Sequence, residues 1–162
     1  MTPTSLAALA VIVAANSVAT PAPKLSALDP CTLISDENVF RLLGWHVTSR
    51  ERAYHHYYSA AGYAFHTRAG RLCFLESTEG VVTVAVADAN AALPQDTPFE
   101  EPFQRAYGKE LHGYPASVLL FPGTAYIRRN HHEVSVKVSP NDHMASYDEV
   151  EPFVRVVVRK LG

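Results

Sequence analysis

The chain has 162 residues, 14 Lys and Arg against 16 Asp and Glu for a formal charge of −2, and 48 % hydrophobic residues. This composition is that of a single globular domain with its own core and excludes a disordered chain. The basic residues are scattered, with no stripe to neutralise phosphates, so nucleic acid is not an expected partner.

Leu6 to Ala15 is an unbroken apolar run followed by Asn16-Ser17-Val18-Ala19. Ser17 and Ala19 suit the −3 and −1 sites of signal peptidase, so residues 1–19 read as a signal peptide and 20–28, with Thr20-Pro21-Ala22-Pro23, as a linker. The run is shorter than the roughly 20 apolar residues a spanning helix needs, so no stable membrane span is expected. The first basic residue is Lys24, so the usual positive region before the run is missing. A buried N-terminal core helix is the competing reading. Leu28-Asp29-Pro30 lacks the small residue that lipoprotein processing requires beside Cys31, and no lipid is expected there.

The mature domain, 29–162, opens on Asp29-Pro30-Cys31. Ser35 is an N-cap, Asp36 and Glu37 fall in the first turn, Val39, Leu42 and Leu43 form one apolar face, and Gly44 is a C-cap, which predicts a helix over 36–43. From Arg71 the period becomes that of strands. Leu72-Cys73-Phe74-Leu75 and Val81 to Ala87, joined by Ser77-Thr78-Glu79-Gly80, predict a β-hairpin. Thr97-Pro98-Phe99-Glu100 matches a capping box for a short helix to about Tyr107, interrupted by Pro102. Ala116 to Phe121, Thr124 to Arg128 and Glu133 to Val138, separated by Pro122-Gly123 and Asn130-His131, predict a three-stranded meander. Val134, Val136 and Val138 alternate with Ser135 and Lys137, which predicts one covered and one wet face. Val154, Val157, Val158 and Leu161 at i, i+3, i+4 and i+7 predict a C-terminal amphipathic helix with Pro152 near its start. The expected fold is α+β: an antiparallel sheet, hairpin plus meander, covered by an N-terminal and a C-terminal helix.

The two cysteines, 42 positions apart behind an export signal, favour a Cys31–Cys73 disulfide over a metal site, which two cysteines alone cannot close. His132-Glu133 begins like a zincin motif, but Val136 stands where the second histidine belongs, on a strand. No Gly-x-Ser-x-Gly elbow and no phosphate-binding glycine loop exist, so no catalytic residue, metal ligand or cofactor is assigned. Tyr54, His55, His56, Tyr57, Tyr58, Tyr63 and His66 form the candidate binding surface, because tyrosine and histidine pair an apolar body with a polar tip. The competing reading is a half-buried strand pair around Gly62.

The Asp29-Pro30-Cys31 start, the capped Leu-Leu-Gly helix, Leu72-Cys73-Phe74, Gly113-x-x-Ala116 before the meander and a C-terminal helix ending in Arg-Lys-Leu together resemble a family of small actinobacterial secreted proteins and lipoproteins of unknown function. The resemblance implies a compact α+β envelope domain with its two cysteines paired and no established enzymatic activity. The chain departs from the lipidated members by lacking their lipobox, and from the common pattern by its His/Tyr-rich segment. The expected function is therefore a secreted, non-catalytic domain binding an unknown envelope or extracellular ligand or protein. The alternative is an exported metal-dependent hydrolase using His131 or His132 with a partner from 54–66.

Overall fold

The computed structural model describes residues 28–59, 66–87 and 108–162, with the side chains of 55–59 and 66–69 outside that description. The expected signal peptide, the 97–107 helix and Tyr63 lie outside the described residues.

A 3₁₀ turn, Pro30–Thr32, opens the domain. The Asp29 carboxylate accepts the Cys31 N–H at 2.9 Å and receives the Arg52 guanidinium at 2.9 Å. The Arg52 hydrogen bond is the main reason this carboxyl titrates below its usual range. Helix α1 spans Asp36–Leu43. At its start the Ser35 hydroxyl accepts the Asn38 N–H and the Asn38 side chain accepts the Ser35 N–H, so two orphan donors are satisfied reciprocally. Gly44 ends it in the left-handed region, φ 77°, and donates its N–H to the Phe40 carbonyl at 2.8 Å.

The described strands are β1 (Ser49–Ser59), β2 (His66–Glu76), β3 (Gly80–Ala87), β4 (Lys109–Leu111), β5 (Ser117–Phe121), β6 (Thr124–Arg129) and β7 (His132–Pro140). Helix α2, Tyr147–Lys160, closes the chain. The strands form one antiparallel sheet in the order β1-β2-β3-β7-β6-β5-β4, so the fold is α+β. The pairing of β3 with β7, Val84 opposite Val136, fuses the two halves of the chain into a single sheet. At Gly123, φ 69°, a side chain would be strained by the backbone and would place its Cβ 2.8 Å from that of Ala145.

The inner face carries the main core. Val82, Val84 and Val86 of β3, Val134, Val136 and Val138 of β7, Ala125 and Ile127 of β6, and Val118 and Leu120 of β5 pack with Val39 of α1 and with Val150, Phe153, Val154, Val157 and Val158 of α2. Each Val, Leu, Ile or Phe side chain buried from water here contributes about 1.5–3 kcal/mol before chain entropy opposes it. Cys31 and Cys73 sit in the same cluster, joined by a disulfide with Cα atoms 5.1 Å apart. Arg50 of β1 reaches across the same end, donating to the carbonyls of Cys31 and Ile34 and pairing with Asp36.

The second face corrects one expectation. Lys137 is exposed, but Ser135 is buried, and Leu119, Phe121, Tyr126, Leu72, Ala85 and Ala87 are buried on the same side. Arg128 and Glu133, opposite one another in the β6–β7 register, are each 1 % exposed and approach to 3.5 Å. The alternation of β7 sorts its side chains between two covered faces there, and Glu133 enters the interior because Arg128 enters beside it. Burial, followed by the Glu133 charge, pushes the Tyr126 hydroxyl up to about 12.

Candidate functional site

Of the predicted surface, Tyr54 is exposed at 59 %. His55, His56, Tyr57 and Tyr58 continue β1, and the register runs His55 opposite Gly70, His56 opposite Ala69, Tyr57 opposite Arg68, Tyr58 opposite Thr67 and Ser59 opposite His66. The segment is thus a strand pair at one edge of the sheet; the pairing of β2 with β3 begins at Gly70, inside it. His131 lies in the β6–β7 turn with φ 66°, and His132 is half-buried, its pKa lowered first by burial and then by the charges of His131 and Arg71. Among the described residues no three His, Cys, Asp or Glu side chains converge as metal ligands would.

A further histidine belongs to a helix cap. His143 lies between Asp142 at 2.6 Å and Glu149 at 2.8 Å, and the other Glu149 oxygen accepts the Ser146 N–H at 2.7 Å and its hydroxyl at 2.9 Å. This is the N-terminal cap of α2. It begins the helix five residues before Pro152, and its signal is the Ser146-x-x-Glu149 spacing. Glu149, bonded first to the Ser146 N–H and then to His143, titrates below its ordinary 4.5. His143, bonded to Glu149 and then Asp142, titrates above its ordinary 6.5. A raised histidine stabilises the fold below its unfolded pKa and ceases to as pH rises through its folded one, whereas a lowered carboxylate stabilises above its unfolded pKa and ceases to as pH falls. The network therefore helps most between those two ordinary values. Thermal melts of the chain and of His143→Gln are expected to differ more at about pH 5.5 than at about pH 8.5. A difference that does not change with pH would show the cap does not depend on histidine charge.

The cleft between α1 and α2 leaves no signal in the sequence. It has a volume of about 450 Å³ and is lined by Arg41 and Leu42 of α1, Tyr114 of the β4–β5 connection, and Asp148, Glu151, Pro152, Arg155, Val156 and Arg159 of α2. Asp148, Glu151, Arg155 and Arg159 follow at helical spacings of three and four residues and form one stripe. Arg41 faces them because α1 packs on α2, a tertiary relation with no trace in local sequence. Leu42, Pro152 and Val156 are partly buried and give the cleft an apolar lining between its charges.

The fold and this geometry define a disulfide-stapled α+β domain bearing a charged cleft between two helices. No family model, no curated protein and no solved structure matches the chain. No described helix is long and apolar enough to cross a membrane.

Proposed function

We propose that this chain is an exported, non-catalytic binding domain of the cell envelope or extracellular space, akin to the small actinobacterial secreted proteins it resembles. In this reading residues 1–19 direct export and are removed, 20–28 are a linker, and 29–162 form a hairpin and a meander roofed by α1 and α2. The observation that supports it is the Cys31–Cys73 bridge: both residues lie in the main core, and such bonds persist in oxidising compartments and are rare in reducing ones. A rigid sheet that holds exposed tyrosine on an edge strand and a charged cleft between its helices suits recognition by a preformed surface.

Export is tested by recovering the protein from medium and envelope fractions, sequencing its N-terminus and measuring its mass without reductant. The expected product begins at or near Thr20 and has no free thiol. An intact Met1 together with two free thiols in the cytoplasmic fraction would overturn the reading.

A further inference from the structure

We propose that the α1–α2 cleft binds an extended peptide segment that carries a carboxylate and, about three residues away, an ammonium or guanidinium group. The proposal rests on the reading of the chain as a binding domain, and it adds a site distinct from the β1–β2 hairpin.

The cleft gathers charges that have no partners among the described residues. Among the described residues, Arg41, Arg155, Arg159, Asp148 and Glu151 take part in no ion pair and no side-chain hydrogen bond, although all five line one cleft. Elsewhere Arg50 pairs with Asp36, Arg52 with Asp29 and His143 with Asp142 and Glu149, while Glu37, Glu51, Lys109, Glu110 and Lys137 stand singly among the described residues. What sets Arg41 and the four α2 charges apart is that they line one cleft. Those charges are also sorted by sign. Both acids lie toward the N-terminal end of the cleft and both α2 arginines toward its C-terminal end. The helix dipole accounts for Asp148 and Arg159, which lie in the first and last turns, but not for Glu151 and Arg155 in the middle. Nor does it account for Arg41, which comes from α1.

The poles have a definite separation. Asp148 precedes Arg155 by seven residues and Glu151 precedes Arg159 by eight, a rise of about 11 Å at ~1.5 Å per residue. An extended peptide covers that distance in about three residues. Guanidinium groups suit a carboxylate because their planar donors can engage both oxygens. At the other pole Pro152 has no N–H, so the Asp148 carbonyl lacks its usual i+4 donor. Leu42, Val156 and the Pro152 ring offer the apolar surface on which the peptide between the two charges would lie. The two acids also disfavour a polyanion running the length of the cleft.

The test uses the full chain, oxidised, in an NMR titration that follows the arginine Nε–H resonances. The probes are acetyl-Lys-Ala-Ala-Glu-amide, the same peptide with Gln for Lys, the same with Gln for Glu, and inorganic phosphate. The doubly charged peptide is expected to shift Arg41, Arg155 and Arg159 and to bind more tightly than the other three. Each exposed ion pair is worth a factor of about 1.4–5, so Arg155→Gln/Arg159→Gln and Asp148→Asn/Glu151→Gln should each weaken it about 2- to 25-fold. The decisive comparison is the acid-pole variant. If it binds the peptide as tightly as the parent or more so, or if phosphate binds as well as the peptide, the bipolar site is refuted. If no probe shifts these arginines, the cleft is not a peptide site at all. Neither result bears on export or on oxidation of the cysteines, so failure of the cleft and failure of the broader reading are distinguishable.

Discussion

A Cys73→Ser variant is expected to lose about 4 kcal/mol of stability, because the bridge it removes closes a loop of 42 positions and so no longer restricts the unfolded chain. That is a large share of the roughly 5–15 kcal/mol that holds a domain of this size together. The bridge joins the 3₁₀ turn before α1 to β2, both in the main core, so the loss acts on the whole domain. At a few degrees per kcal/mol for a chain of this length, the melting temperature should fall by roughly 10–20 °C. Far-ultraviolet circular dichroism at room temperature should change little, because the sheet ladders and both helices do not depend on the sulfur atoms. Both cysteines are buried, so reductant should act slowly on the folded chain and quickly once denaturant opens it. A Cys73→Ser protein that melts with the parent would show that the bridge adds no net stability.

Glu133→Leu and Arg128→Met are each expected to cost about 3–5 kcal/mol, since either removes one member of a buried ion pair. The double variant Arg128→Met/Glu133→Leu should recover most of that loss. Removing both charges removes both desolvation penalties, and side chains of similar volume keep the second face of the sheet packed. Urea unfolding of the four proteins closes a double-mutant cycle. Single variants within about 1 kcal/mol of the parent would mean that water reaches the pair, because exposed pairs contribute no more than that. Such a result would remove the claim that this face is covered around β6 and β7.

The elements legible in the sequence are those whose determinants lie within a few residues of one another. Helix α1 is bounded by Ser35 and Gly44, and both signals act on neighbouring backbone, so its limits follow from local chemistry. Val81 to Ala87 and Glu133 to Val138 are marked as strands by β-branched residues, and Pro122-Gly123 by its turn chemistry. Two cysteines behind an apolar run that reads as an export signal pointed to the disulfide, and the antiparallel α+β class followed from short runs joined by tight turns.

What the sequence could not determine depends on distant parts of the chain. Ser49 to Ala53, rich in charge, becomes a strand because β2 pairs with it and because Arg50 and Arg52 are drawn to Asp36, the turn carbonyls and Asp29. The pairing of β3 with β7 joins segments some fifty residues apart, and no local pattern specifies it. Glu133 and Ser135 occupy positions that alternation assigns to water, and they are interior only because Arg128, Tyr126 and Leu119 come to lie beside them. The cleft is the clearest case. Each charge on α2 reads as one more solvated residue of an amphipathic helix, and only the approach of α1 sets Arg41 against Arg155 and Arg159 and gives them a common space to face.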